Sequence, residues 1–294
     1  MALYFRHSSP SLDAPVLVVA LEGWVDAGLG AEGAMAALVS TGPGELIATF
    51  DGEEFIDQRA RRPVAHIVDG VHERLTWPVI QLRSGMDLAG NDLCLLLGPE
   101  PDFRWHGFTG AVCELAHQLG VRLVVGLGAF PAPAPHTRPI RLAATAPPQS
   151  ADLVPRIGVV QGELEVPSGV WGALELAFGD EGIPAVGLWA RVPHYVAGMA
   201  FPAASAALLD GLAAVADLSI DTATLHAAAD TTRQQVDELI TRSTEHSQLV
   251  RQLEHNLDAT EGNPLQVGQI PTGDELAAEL ERYLRGDRSE GDAG

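Results

Sequence analysis

Residues 16–39 read VLVVALEGWVDAGLGAEGAMAALV. The first seven, VLVVALE, are a short apolar run rich in valine, without the alternation of a strand that shows one face to water. Such a run suits a strand buried on both faces, as in parallel sheets covered by helices on either side. The second half consists of small residues in a helical pattern, and Asp26 precedes it. A carboxylate there can accept the unpaired N–H groups of the first helical turn.

The same alternation continues along the chain. ELIATF at 45–50, the stretch 93–98 within DLCLLLG, residues 121–128 and PAVGLWA at 184–190 predict further strands. Helices are predicted at about 103–119, closed by Gly120, at 169–179 with Ser168 as its cap, and over the alanine-rich 202–216. Residues 63–83 alternate around Asp69-Gly70, which predicts a hairpin that adds an antiparallel portion to the sheet. This order predicts an α/β fold with a mixed, mostly parallel sheet covered on both faces.

In open α/β sheets the loops that leave the strands gather on the carboxyl edge, where ligands bind. On that edge the reading places Glu22, Trp24 and Asp26; Glu100, Asp102 and Arg104; His136, Thr137 and Arg138; Ser168; and Arg191, His194 and Tyr195. The segment GLGAFPAPAPHTRP at 126–139 is the most suggestive, because prolines stiffen a loop that presents an imidazole, a hydroxyl and a guanidinium together. Such a set can hold a carboxylate or phosphate. It serves equally well for structural hydrogen bonds, and the sequence leaves both open.

From about residue 221 the character changes. Ala229, Thr232, Val236, Leu239, Ser243, His246, Val250, Leu253 and Leu257 recur at three- and four-residue spacing, which predicts one long amphipathic helix with a partly polar seam. GNPLQVGQIP at 262–271 breaks it. Thr272–Glu275 then forms a capping box for a last helix ending near Arg285. The expected organisation is an α/β domain over 1–220, a helical segment over 221–286 and a disordered tail over 287–294.

Composition excludes several function classes. The 294-residue chain carries 39 acidic residues against 18 arginines and no lysine, for a formal charge of -21. Nucleic acid and anionic membrane surfaces are poor partners for such a chain. Without lysine there is no Walker-type phosphate loop, Schiff-base lysine or Ser-Lys dyad, and the same absence disfavours kinase-like or ATP-grasp nucleotide use. No apolar run has the roughly 18 residues of a membrane span, and MALYFRHSSP lacks the charged region and apolar core of a signal peptide. A soluble cytoplasmic protein is the expectation. Cys94 and Cys113 read as small core residues.

The formal GxGxxG of Gly28, Gly30 and Gly33 resembles a dinucleotide fingerprint, with Asp51 near the place of a ribose-binding acid. The fingerprint requires its first glycine immediately after the strand, however, and here Gly23–Ala27 intervene. Close helix packing is the reading that the spacing favours. There is no GxSxG elbow, and neither HExxH nor close Cys/His pairing, so no nucleophile, metal site or cofactor is expected. No catalytic residue can be assigned.

EGWVDAG at 22–28, LLLGPEPDFRW at 95–105, GLGAFPAPAPHTRP at 126–139 and WARVPHYVAG at 189–198 together resemble the PAC2 family, prokaryotic proteins similar to the eukaryotic proteasome assembly chaperone. IPTGDELAAELERYLR at 270–285 resembles the tail of actinobacterial members. The resemblance implies a three-layer α/β/α sandwich of phosphorylase/hydrolase type with a C-terminal helical extension. It also implies self-association, trimers included, and proteasome components as partners. It transfers no catalytic residue. Two functions follow: a non-catalytic, oligomeric, assembly-chaperone-like interaction protein, favoured because no complete catalytic set can be assembled; or a small-molecule-binding protein or hydrolase/phosphorylase-like enzyme using Glu22, Trp24, Asp26, His136, Thr137, Arg138, Ser168, His194 and Tyr195 at the carboxyl edge.

Overall fold

The computed structural model describes residues 2–261 except 24, 42, 43 and 161. The expected helix at 272–285, the tail at 287–294 and Trp24 lie outside the described residues. In chain order the strands are β1 (Tyr4–Arg6), β2 (Val16–Glu22), β3 (Leu46–Phe50), β4 (Val64–Val68), β5 (Val71–Thr76), β6 (Gln81–Met86), β7 (Asp92–Pro99), β8 (Leu123–Ala132), β9 (Leu142–Thr145) and β10 (Ala185–Pro193). The α-helices are α1 (Gly30–Ser40), α2 (Gly52–Phe55), α3 (Trp105–Leu119), α4 (Val170–Asp180), α5 (Pro202–Ala216), α6 (Ala223–Thr241) and α7 (Thr244–Glu261).

Eight strands form one sheet in the order β1-β3-β6-β7-β2-β8-β10-β9. The valine-rich β2 lies inside it, paired in parallel with β7 on one side and β8 on the other. β10 continues the parallel run beside β8. Among the ten strands, parallel pairing is confined to these four central ones, and the flanking pairs are antiparallel. The fold is therefore α/β with a mixed sheet and C-terminal helices.

Alternate residues of the central strands feed two separate cores, as the period of two requires. Val16, Val18, Val125 and Val186 pack with Ala34 and Met35 of α1, Leu208 and Leu212 of α5, and Val236 of α6. Leu17, Val19, Cys94 and Val124 pack on the other face with Phe108 and Leu115 of α3 and Leu174 and Phe178 of α4. Three layers result, helices on sheet on helices. Both cysteines are buried and unbonded to each other, and burial pushes their thiols up, to about 12 for Cys94 and about 11 for Cys113.

Two expectations need correction. The Asp69-Gly70 hairpin is present, with both residues at positive φ (50° and 82°), as a two-residue turn between twisted strands requires. Among the described residues its strands β4 and β5 pair only with each other, however, and form a separate two-stranded sheet. The antiparallel part of the main sheet comes from β6, β3, β1 and β9 instead. The single long helix expected from 221 is two helices, interrupted at Arg242–Ser243. The Ser243 hydroxyl accepts from the His246 N–H at 3.3 Å, and Ser247 Oγ donates to Ile240 O at 3.1 Å across the break. A serine taken for a seam position is thus a start signal for a new helix.

The chain divides into two compact units, Met1–Glu254 and His255–Gly294. All sites discussed below lie in the first. No helix among the described residues is long and apolar enough to cross a membrane.

Candidate functional site

β8 ends at Ala132 and β10 at Pro193, adjacent parallel strands in register, so the loops that follow them emerge side by side. This places His136, Thr137 and Arg138 next to His194 and Tyr195, as the sheet topology demands. The main-chain N–H of His136 donates to Tyr195 Oη at 2.7 Å, and the same oxygen lies 2.7 Å from His136 Nδ1. On the far side of the ring, His136 Nε2 lies 2.9 Å from Asp237 Oδ1 on α6. His136 is 3% exposed, the deepest of the described rim residues. His194 is exposed, its ring edge-on to Tyr195 at 5.3 Å between centroids.

Burial pushes Tyr195 up to about 12, and the charges of Glu254 and Asp237 act in the same direction. The hydroxyl therefore keeps its proton and accepts from the backbone N–H, while the His136 ring bridges it to Asp237. The order Tyr–His–Asp has the outline of a nucleophile, a base and an orienting acid. An activated nucleophile needs a lowered pKa, and Tyr195 is shifted the opposite way; the hydrogen-bonded series Tyr195–His136–Asp237 joins α6 to the rim.

Thr137 and Arg138 are engaged in the same manner. Thr137 Oγ1 donates to Glu254 Oε1 at 2.5 Å, and the Arg138 guanidinium donates to the same oxygen at 3.2 Å. In one uninterrupted helix Asp237 and Glu254 would stand about 25 Å apart at 1.5 Å per residue. The break at Arg242–Ser243 allows both to reach three consecutive residues of one loop.

Asp26 is occupied by its own helix. Its carboxylate oxygens accept from the N–H groups of Ala31 at 2.8 Å and Glu32 at 2.9 Å. Those are the donors a pyrophosphate would require. The neighbouring glycines serve packing: a β-carbon on Gly30 would stand 3.0 Å from that of Ala129 and 3.1 Å from that of Ala204, and one on Gly33 would meet Ser205 Oγ. The GxGxxG lets α1 lie against β8 and α5.

Glu22 and Ser168 belong to a different part of the rim. Glu22 is exposed, and its carbonyl accepts from the Glu100 N–H at 2.8 Å. Ser168 does not cap α4. Gly169 holds that position, Ser168 Oγ donates to Gly169 O at 2.9 Å, and the Val170 N–H donates to the Glu100 carboxylate instead. A carboxylate at a helix N-terminus is favourable there, and Glu100, next to α3 in sequence, supplies it to α4 in space. Asp102 accepts from the Asp57 N–H at 2.8 Å and pairs with Arg61 at 3.3 Å; Arg104 pairs with Glu54. Arg191 is half-buried, and burial first, then the charge of Arg141, lower its guanidinium. An open recess of about 630 Å³ between β1 and α3, lined by residues such as Tyr4, Arg6, His106 and Glu114, contains none of the rim residues. Among the described residues no group of three His, Cys, Asp or Glu converges as a metal site would require.

The residues that sequence reasoning missed are the acids on the partner elements. Asp237 and Glu254 each sit one position beyond an apolar seam residue, Val236 and Leu253, both buried. An acid flanking a seam, in a chain whose loop presents His and Arg, was the available signal. Glu175 on α4 gave none. It is 8% exposed, its carboxylate accepts from Thr145 Oγ1 at 2.8 Å, and Thr145 Oγ1 in turn accepts from the Trp189 indole N–H at 3.0 Å.

The sequence profile of the PAC2 family matches residues 20–240. A search of curated proteins finds no match. Among solved structures, a Corynebacterium glutamicum protein of unknown function is 32% identical, with a TM-score of 0.83 over 90% of this chain and 99% of its own. A proteasome-assembly chaperone homologue from Mycobacterium tuberculosis is 36% identical, with a TM-score of 0.74 over 80% of this chain and 99% of its own. At 17% identity an archaeal proteasome activator from Pyrococcus furiosus shares the fold, with a TM-score of 0.61 over 80% of this chain and 97% of its own.

Proposed function

The chain belongs to the PAC2 family, and from that premise we propose that it is a non-catalytic, self-associating cytoplasmic protein that helps to assemble, or docks on, a larger complex such as the proteasome. The working body is the α/β domain of residues 1–220, and the helical segment from 221 is its added element. The observation that carries this reading is the engagement of the polar rim. His136, Tyr195, Thr137 and Arg138 bond to Asp237 and Glu254, while Asp26 and Glu100 cap helices. Groups spent on holding elements together are not poised for acid–base or nucleophilic work. A pocket at that rim would first have to release the α6–α7 contacts. The mycobacterial relative described as a proteasome-assembly chaperone homologue supports the choice of partner.

The test is direct. Mixed with separately purified proteasome α- and β-subunits, the full-length protein should co-sediment with unassembled subunits and accelerate formation of the core particle. Sedimentation as an independent species, with no change in assembly rate, would overturn the reading.

A further inference from the structure

A two-stranded hairpin has no core of its own and is at best marginally stable in water unless a third strand or a packing face supports it. Among the described residues the β4–β5 hairpin gains no third strand: each strand pairs only with the other, which leaves both outer edges open there. The pairing puts Val64, Val68 and Val71 on one face and Ile67 and Leu75 on the other. All five are between 46% and 63% exposed, and Trp77 just beyond is 48% exposed. Lone apolar residues on a surface are ordinary, but exposed apolar side chains on both faces of an element with two open edges mark an interaction surface.

Charge indicates what covers it. Segment 59–76 carries four arginines, Arg59, Arg61, Arg62 and Arg74, against two acids, Asp69 and Glu73. Arg61 is spent on Asp102, while Arg59, Arg62 and Arg74 are exposed. The whole chain has the opposite balance, 39 acids to 18 arginines. A basic, apolar prong on a strongly acidic protein is complementary to the rest of that protein's own surface, and such complementarity sets partner choice and on-rate.

We infer that the β4–β5 hairpin is the self-association element: it docks on the acidic surface of a second copy of this chain, burying Val64, Ile67, Val68, Val71 and Leu75 while Arg59, Arg62 and Arg74 face carboxylates. This rests on the reading of a self-associating protein and names the surface that does it. The contact is heterologous, prong to body, so it builds closed rings where the rotation permits.

The test uses the full-length protein in sedimentation velocity over a concentration series. The wild type should sediment at a multiple of 31.0 kDa. Ile67→Asp with Val71→Asp should give single chains with an unchanged thermal melt, since neither side chain enters a core cluster. Arg62→Glu with Arg74→Glu should weaken association at least about tenfold at ~0.15 M salt, and less at high salt, where charges are screened beyond about 3 Å. An oligomer whose mass none of these variants alters overturns the inference and leaves the proposed function intact. A wild type that is a single chain throughout overturns the inference together with self-association. A hairpin that binds only a different acidic protein also overturns it.

Discussion

At the residue scale, Glu175 sits in an environment that its residue type does not suggest. Burial raises its carboxyl above the usual glutamate range, and hydrogen bonds, Thr145 among them, only partly offset this. The folded state then holds the proton more tightly than the unfolded chain. The associated stability is fully present below the unfolded value of about 4.3 and is lost as pH rises through the raised folded value. Glu175→Gln keeps the acceptor for Thr145 and removes the titration. Its melting temperature should equal that of the wild type near pH ~4 and exceed it at neutral pH; a difference that does not vary with pH would refute this. Nothing in GALELAFG distinguishes Glu175 from a solvated helix acid. Its burial depends on β9 and β10 lying beneath α4, which only the assembled sheet decides. Asp26 is the opposite case, a capping acid readable from its place before a small-residue helix.

At the element scale, the decisive contacts tie the β8 loop to α6 and α7. His136→Ala deprives both Tyr195 and Asp237 of a partner, at a cost of about 1–3 kcal/mol. It should raise amide hydrogen exchange across Ala223–Thr241 while strands β2, β8 and β10 stay protected. Asp237→Asn, which retains an acceptor for Nε2, should change exchange much less. Equal exchange in the alanine variant and the wild type would show that apolar packing alone holds α6 down. The start of α6, the extent of α5 and the β7 and β10 strands were legible because each follows from local periodicity and turn chemistry. The break at Ser243 was not. Three- and four-residue spacing runs on through it, and a helix cap differs from a polar seam residue only by the direction of the chain around it.

At the scale of the whole molecule, one sheet separates two cores that share no side chains. Leu212 and Ile47, both fully buried, lie on opposite sides. Leu212→Ala should cost about 2–5 kcal/mol and Ile47→Val about 0.5–1.5 kcal/mol. Measured by denaturant unfolding, the double variant should equal the sum within about 0.5 kcal/mol, because the two sites have no common partner. Marked non-additivity would mean that the layers communicate through the sheet.

The amino-acid order alone determined the α/β class, the buried central strands, the packing role of the early glycines, the Asp69-Gly70 turn and the family. These follow from periods, turn residues and motifs that act over a few positions. Tertiary structure alone decided that the hairpin leaves the main sheet, that Glu100 caps α4 and not the helix beside it, and that the polar rim bonds to Asp237 and Glu254. Each of those joins residues between 70 and 117 positions apart, or none at all in the case of the hairpin. A side chain's partner at that distance is set by strand order, and strand order is not written in local pattern.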